Sequence, residues 1–246
     1  WLINSLYAPK TAMTAMGIAP DGARTSGSIR IGDLEVIGTD ERTLRSVRGR
    51  SVSMIFQDPS AALNPVFTIG FQLAEAVRRT DGPHDRAAVR ERSLELLRAV
   101  EVPEPERRLG QYPHELSGGQ AQRVMIAMAL AAGPDLLIAD EPTTALDVTV
   151  QAEVLDVLRA LRERTGTAIL LITHDMGVVA DLADRVVVMR RGRVVETGTA
   201  EAVFAAPSAE YTRELLAAVP RMGTGSGLEA RLGSATEPPA AVLDVW

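Results

Sequence analysis

Short apolar runs and a longer amphipathic segment predict strands joined by a helix. Residues 136–139 and 168–172 are apolar throughout, which is typical of parallel strands that are covered on both faces. Between them, apolar residues recur every three or four positions, as on one face of a helix: Val154, Leu155, Leu158 and Leu161. This strand–helix–strand order favours a right-handed crossover in an α/β fold with a mostly parallel sheet.

Turn dipeptides between β-like stretches predict two hairpins. Segments 28–37 and 185–196 are centred on Gly32-Asp33 and Arg191-Gly192, and the first hairpin gives the fold an antiparallel portion near its N-terminus. Residues 51–57 predict one more strand, in which the apolar residues Val52, Met54 and Phe56 occupy alternate positions.

Helical periodicity marks the remaining segments. These predicted helices are 12–19, 42–48, 69–100 with a break at Gly82-Pro83, 119–132 and 209–219. We expect residues 1–220 to form one domain in which about 69–132 is a helical insertion. We expect residues 221–246, which are rich in Gly, Ser and Pro, to form a flexible tail.

The composition argues against several classes of protein. The 246 residues include 32 acidic and 26 basic ones, and the net charge of −6 argues against nucleic acid as a partner. No apolar run approaches the roughly 20 residues that span a bilayer, and no cysteine is present to hold a disulfide or an iron–sulfur cluster. Lys10 is the single lysine, which indicates a position that requires a compact ammonium group.

Two segments have features that suit a phosphate-bearing ligand. Ser117-Gly118-Gly119 opens a predicted helix, and a helix N-terminus presents backbone N–H groups and a positive dipole to an anion. Asp140 and Glu141 end a buried strand, at the edge where parallel sheets bind ligands. Each feature alone is common in loops and strand ends, but together they predict a site for a phosphorylated compound.

These segments resemble two motifs of the ATP-binding-cassette (ABC) ATPases. Leu116 to Gln120 matches the LSGGQ signature, and Asp140-Glu141 is similar to the end of Walker B. Three more motifs follow the family's order: Phe56-Gln57-Asp58 as the Q-loop, Ala145-Leu146-Asp147 as the D-loop and His174 as the switch histidine. The resemblance covers roughly residues 10–220. It implies a P-loop NTPase-like core with a helical subdomain.

The resemblance implies catalytic roles for three residues and metal-binding roles for three. Glu141 would be the base that polarises the attacking water, and His174 and Gln57 would orient that water. Asp140, Gln57 and Thr11 would hold Mg²⁺, which prefers oxygen ligands and keeps several waters.

Other residues would bind ATP, some of them across a dimer. The resemblance implies that Lys10 and Thr11 bind the phosphates within the subunit. It also implies a head-to-tail dimer with two sandwiched ATP molecules. The residues that would meet the nucleotide of the opposite subunit are Ser117, Gly118, Gly119, Gln120 and Asp147.

Further stretches are similar to the ATPase subunits of oligopeptide and dipeptide importers. They are Gln57-Asp58-Pro59, Leu63-Asn64-Pro65, Tyr112-Pro113-His114-Glu115 and the segment from Pro207 to Leu216. The sequence departs from that group at Ala121-Gln122 and at Ala209-Glu210. This resemblance implies two membrane permease subunits and a solute-binding protein as partners, and a position on the cytoplasmic face of the membrane. Leu63, Val66 and Phe67 are candidates to pack against a permease helix, and the alternative is that they belong to the core of the helical insertion itself.

The P-loop is the place where the resemblance breaks. A P-loop reads G-x-x-x-x-G-K-[ST], because glycines let the backbone wrap around phosphates. The matching residues 4–11 have Asn4 and Pro9 in place of both glycines, and proline has no N–H to donate. The strands before the loop are expected to be missing. Since Glu141 and His174 are intact, we favour replacement of the first nine residues over a long-degenerate subunit.

Two alternatives to an active importer ATPase stay open. One is a catalytically impaired or regulatory subunit, which the altered P-loop would suit. The other is a soluble ABC ATPase of translation or DNA repair. The short segment between Gln57 and Ser117 has no sustained heptads, and no charged linker joins a second cassette, so both features argue against the second alternative.

Overall fold

A six-stranded sheet is the centre of the molecule in the computed structural model, which describes residues 2–3, 8–19, 22–80, 85–144 and 146–218. The strand order is β4-β5-β6-β1-β7-β8, and all neighbours pair in parallel except β7 with β8. A separate two-stranded sheet pairs β2 with β3. The strands are β1 (Leu2–Ile3), β2 (Arg30–Ile31), β3 (Leu34–Glu35), β4 (Val52–Ile55), β5 (Leu136–Asp140), β6 (Ala168–Ile172), β7 (Arg185–Arg190) and β8 (Arg193–Thr199).

Helices cover the sheet and form most of the segment between β4 and β5. They are α1 (Ala8–Ala15), α2 (Glu41–Val47), α3 (Pro59–Ala62), α4 (Ile69–Arg78), α5 (Arg86–Ala99), α6 (Pro105–Arg108), α7 (Gly118–Ala129), α8 (Val148–Thr165), α9 (Met176–Leu182), α10 (Ala200–Ala205) and α11 (Glu210–Ala218). The predicted α/β class with a mostly parallel sheet is confirmed. The predicted tail, residues 221–246, lies outside the described residues.

Two hydrophobic cores lie against opposite faces of the sheet. Alternate residues of β5 divide between them, with Leu137 and Ala139 in the core under α4, α5, α7 and α8, and Ile138 in the core under α1 and α2. The same division applies to β4, where Met54 and Ile55 belong to different cores. The strand predicted within residues 51–57 is confirmed at Val52–Ile55, and all four of its residues are buried. Both faces are covered because parallel strands are sandwiched between helices.

The N-terminal segment differs from the prediction in two ways. Leu2–Ile3 forms a parallel strand between β6 and β7, so a strand does precede the P-loop position. Helix α1 begins at Ala8 instead of residue 12, because Pro9 is tolerated in a first turn where its missing N–H has no partner to lose. The helix ends at Ala15, and the chain turns away from it at Gly17, whose φ of 66° suits glycine. Residues 4–7 lie outside the described residues.

The two predicted hairpins are confirmed. Ile31 pairs with Leu34 in β2–β3, and Arg190 pairs with Arg193 in β7–β8. In the second turn, Arg191 and Gly192 both have positive φ, 50° and 78°, as a tight turn between twisted strands requires.

The helical segment after β4 packs into the same core as Leu137 and Ala139 of the sheet. Leu63, Ile69, Leu73 and Leu97 are almost completely buried there, together with residues of α7. Leu63 is only 2% exposed, so its prediction as a surface residue for a permease helix is wrong. The Leu63-Asn64-Pro65 turn directs its leucine inward, and Gln72 fixes the turn by bonding to both the N–H and the carbonyl of Asn64.

Candidate functional site

The carboxyl ends of β4, β5 and β6 meet at one edge of the sheet and bring the predicted catalytic residues together. Asp140 is in register with Ile172, and the N–H of Glu141 donates to the Ile172 carbonyl at 2.9 Å. Glu141 has a φ of 44°, an unusual backbone conformation for a residue with a side chain. Such conformations cluster at functional sites, where the surrounding structure holds them.

The Glu141 carboxylate contacts both of the other predicted catalytic side chains. Its Oε2 accepts from Gln57 Nε2 at 2.9 Å, and its Oε1 lies 3.1 Å from His174 Nδ1. Thr144 Oγ1 also donates to Oε2, at 2.9 Å. Glu141 is 6% exposed, so this buried carboxylate is stabilised by neighbouring donors. Thr144 was not predicted, although its position three residues after Glu141 at a turn was a usable signal.

Asp140 is buried beside Glu141 and has an unsatisfied oxygen. Its Oδ1 has no hydrogen-bond partner among the described residues. Burial, and then the negative charge of Glu141, raise the pKa of Asp140 to about 6. A cation would supply the missing partner and favour the charged form. The arrangement therefore fits Mg²⁺, which one or two carboxylates hold together with phosphate and water oxygens.

No group of three or more His, Asp or Glu side chains that could hold a metal occurs in the described part of the chain. A cation at Asp140 would therefore depend on oxygens from elsewhere, such as a phosphate. Lys10 and Thr11 lie in α1, with Lys10 exposed and Thr11 half-buried. Both make interactions within the protein. Helix α1 follows β1, which is the place that a phosphate-binding loop and its helix occupy in this class of fold.

The predicted signature forms the N-terminus of α7. Ser117 is the N-cap: its hydroxyl accepts from the Gln120 N–H at 3.3 Å, and the Gln120 side chain accepts from the Ser117 N–H at 3.2 Å. This reciprocal capping box fixes the start of the helix. Ser117 and Gly118 are exposed, whereas Gly119 is buried. The side chains of Ser117 and Gln120 therefore take part in this cap. Neither is bonded to the Glu141 cluster, which consists of Glu141, Gln57, Thr144 and His174.

Helix α8 lies directly against the signature. A Cβ on Gly119 would clash with Val150 Cγ1, so a glycine is required for the close approach of the two helices. Asp147 is the N-cap of α8 and accepts from the Val150 N–H at 2.9 Å. A groove of about 460 Å³ runs between the two helices. Arg123 closes it by donating to Glu153 Oε2 at 2.6 Å and to the Glu101 carbonyl at 2.6 Å.

Comparison with known proteins identifies the family. A sequence model described as "ABC transporter" matches residues 11–144, more than half of the chain. The chain belongs to the ABC transporter family. The matched segment contains the Q-loop, the signature and the Asp140-Glu141 strand end, so the family resemblance read from the sequence is confirmed.

Curated relatives in this ABC family are ATP-binding proteins of transport systems. "Oligopeptide transport ATP-binding protein OppD" of Mycobacterium tuberculosis is 48% identical over 216 residues, covering 88% of this chain and 35% of that protein. "Probable peptide ABC transporter ATP-binding protein y4tR" of Sinorhizobium fredii is 50% identical and covers 85% and 63%. "Glutathione import ATP-binding protein GsiA" of Salmonella typhimurium is 46% identical and covers 92% and 38%. The chain thus spans between 35% and 63% of the length of these relatives.

The fold also matches solved ABC cassettes. The ATP-binding cassette MJ0796, solved as a dimer in a post-hydrolysis state with ADP and Pi, has a TM-score of 0.69. Its sequence is 27% identical, and the match covers 81% of this chain and 83% of that one. The α/β fold is therefore that of an ABC ATPase cassette.

Proposed function

We propose that this chain is the ATP-hydrolysing, energy-coupling subunit of a peptide-type ABC importer. The observation that carries the proposal is the Glu141 carboxylate, bonded to Gln57 on one side and adjacent to His174 on the other. These are the three side chains that the family resemblance implies for hydrolysis. The names of the relatives, which concern oligopeptide, peptide and glutathione transport, support the substrate class.

In the proposed reaction, Glu141 accepts a proton from a water molecule as that water attacks the γ-phosphate of ATP. An ionised carboxylate has about four acceptor sites, and three of them are used by Gln57, Thr144 and His174. One site is left for the attacking water, and the three contacts fix where that site lies. Such orientation of a reactant accounts for a large share of catalysis in phosphoryl transfer.

Asp140, with its unsatisfied Oδ1, is the residue that would hold Mg²⁺ beside this base. Gln57 and Thr11 are the other proposed ligands. The ion, when bound, would neutralise charge on the phosphate oxygens. Lys10 and Thr11 would bind the phosphates from α1.

A second subunit would complete the site. Ser117 and Gly118 are exposed at the N-terminus of α7, and a helix N-terminus attracts phosphate. Since they do not contact the Glu141 cluster, we assign Ser117, Gly118, Gly119 and Gln120 to the nucleotide of an opposite subunit. Asp147 would lie at that interface. The dimeric form of the cassette MJ0796 supports this assembly.

An exposed aromatic surface supports attachment to a membrane partner. Phe67 and Phe71 stack with ring centroids 4.5 Å apart, although both are more than 40% exposed. Val66 beside them is 69% exposed. Tyr112 is exposed as well, and its segment is joined to the start of α4 because the carbonyl of Gln111 accepts from the Ile69 N–H. No helix in the described ranges is long and apolar enough to cross a membrane. We assign this surface to a cytoplasmic helix of a permease, which in turn would receive solute from a binding protein.

Replacing Phe67 and Phe71 together by alanine tests that surface. Because both rings are exposed, the double variant should retain its melting temperature and its affinity for ATP while losing association with the permease in a pull-down. Leu63→Ala is the matched core variant and should lower stability by about 2–5 kcal/mol. Unchanged capture by the double variant, or a melting temperature that falls as in Leu63→Ala, would assign the rings to another role.

The altered loop provides the test of ATPase activity itself. Asn4→Gly with Pro9→Gly restores both P-loop glycines, and Asn4→Ala with Pro9→Ala is the control that removes proline without adding glycine. The restored variant should hydrolyse ATP at least about 100-fold faster than the unchanged chain, because a lost phosphate donor costs about 2.7–4 kcal/mol. Equal turnover in the three proteins would show that the loop does not limit hydrolysis.

One alternative also has support in the chain. An impaired or regulatory ABC subunit is favoured by Pro9, which cannot donate an N–H to phosphate. The same experiment separates the two proposals, since a regulatory subunit with a decayed site would stay inactive after the glycines are restored. No described feature favours the soluble ABC ATPases of translation or repair.

A further inference from the structure

The position of the His174 side chain is set mainly by the backbone of its loop. Its side chain is 64% exposed, and it meets Glu141 at 3.1 Å through Nδ1. An exposed imidazole makes few packing contacts, so its position depends on the loop between β6 and α9. That loop is fixed on both sides of the histidine. Thr173, which is 5% exposed, accepts from the Asp175 N–H through its Oγ1 at 3.0 Å.

Asp175 uses both of its carboxylate oxygens. Oδ1 accepts from the N–H groups of Gly177 and Val178, at 2.8 and 3.3 Å, and so caps α9. Oδ2 accepts from Gln151 Nε2 at 3.1 Å. Gln151 belongs to the first turn of α8, and its N–H donates to the Asp147 carbonyl at 2.8 Å. The residue next to His174 is therefore tied to a second helix through a charge-assisted hydrogen bond.

The same turn of α8 supports the signature. Val150, the neighbour of Gln151, fills the space that a side chain on Gly119 would need. One helical turn thus contacts both α7 at the signature and the loop that carries His174. The first turn of α8 thus links the signature to the His174 loop through Val150 and Gln151.

We propose that Gln151 is a positioning residue, which holds the His174 loop to the first turn of α8 through Asp175. The proposal rests on the role assigned to His174 in the proposed function. It predicts that a change at Gln151 alters the surroundings of the His174 ring although the two side chains are not bonded to each other.

The test uses the polarity of the Gln151–Asp175 hydrogen bond. Gln151→Glu keeps the shape of the side chain but places a carboxylate against Asp175. Asp175→Asn keeps the Oδ1 acceptor for α9, and in the double variant its Nδ2 can donate to Glu at position 151. The double variant should therefore restore the contact with reversed polarity. Ala152→Glu is the control, because it adds the same charge to the same turn at an exposed position.

The readout is the set of ring-proton NMR signals of His174, assigned by their disappearance in His174→Gln. Gln151→Glu should shift these signals, Ala152→Glu should leave them in place, and the double variant should return them to the wild-type position. Unmoved signals in Gln151→Glu, an equal shift in Ala152→Glu, or no return in the double variant would each overturn the proposal. Since the signals report the ring in the chain without nucleotide, failure here leaves the proposed ATPase function standing.

Discussion

The Glu141 cluster and the signature are held in opposite ways. Glu141 is buried and contacts Gln57 and His174 from two other segments of the chain, and it accepts from Thr144 of its own turn. The signature is exposed at its tip, where Ser117 and Gln120 bond to each other in the reciprocal cap. The Glu141 carboxylate thus finds its hydrogen-bond partners within the subunit, whereas the N-terminus of α7 at the signature is exposed to solvent.

This difference explains why one chain can contain both the Glu141 cluster and the signature without bringing them into contact. Buried polar groups require partners, so the Glu141 cluster is completed during folding. An exposed helix N-terminus is hydrated and needs no partner until an anion arrives. The pattern agrees with a site whose second half comes from another subunit, and the following predictions test it.

Within the signature, the larger effect on stability is expected at Gly119, the second of its two glycines. Gly119→Ala should lower the free energy of unfolding by about 1–3 kcal/mol, because its Cβ would clash with Val150. Gly118→Ala is the matched control, since its Cβ would lie 3.6 Å from Leu146 Cδ2, an ordinary contact. Urea unfolding of both variants measures the difference. Equal stabilities would mean that α7 does not depend on close packing against α8.

A smaller effect is expected from the charge of Asp140. Its pKa of about 6 lies above the ordinary value of 3.8, so the folded chain binds a proton more tightly than the unfolded chain. Stability without metal should therefore fall as the pH rises from about 4 to above 6. Asp140→Asn removes this cost and should raise the melting temperature at pH 7.5, by about 2–4 °C for each kcal/mol relieved.

The pH dependence provides the control for that prediction. The advantage of Asp140→Asn should shrink as the pH falls from about 6, the folded pKa, to below 3.8, where the aspartate of the unfolded chain becomes protonated as well. Added Mg²⁺ with nucleotide should reverse the order of the two melting temperatures, since only the aspartate can bind the ion as a carboxylate. An advantage that is independent of pH would mean that the charge at this position costs nothing.

The predicted catalytic residues Gln57, Glu141 and His174 came from the resemblance to the ABC ATPases. The structure brings them together because each follows a strand of the parallel sheet, and parallel strands end at the same edge. The contacts of Thr144 and Gln151 were not predicted, since they depend on how a turn and a helix approach those strands. Leu63 was misplaced because an apolar residue beside an Asn-Pro turn has the same local pattern whether it faces a core or a partner.

Residues 51–57 give a second example of what a local pattern leaves open. The predicted strand is confirmed at Val52–Ile55, but the alternation of Val52, Met54 and Phe56 did not reveal that Ser53 and Ile55 are buried as well. A small polar residue can occupy a covered strand if its hydroxyl finds an acceptor, and Ser53 Oγ lies 3.5 Å from the Gly49 carbonyl. The alternation of apolar residues therefore could not show whether the residues between them are covered by helices or exposed to solvent.

The central claim is that one subunit supplies Glu141 and the opposite subunit supplies the signature. Two variants of the restored-glycine protein separate these contributions. Glu141→Gln removes the base, and Gly118→Asp places a negative charge where the phosphate should bind. Each variant alone should lose about 10²–10⁴-fold in turnover, the range for removal of a general base or an equivalent positioning defect.

The decisive measurement is ATP turnover after the two variants are mixed. In a head-to-tail mixed dimer, one site contains both defects and the other contains neither. The mixture should therefore regain turnover that rises with the fraction of mixed dimer, which size-exclusion chromatography with a tag on one variant can quantify. If mixed dimers form and turnover stays at the level of the separate variants, the Glu141 cluster and the signature do not act across subunits.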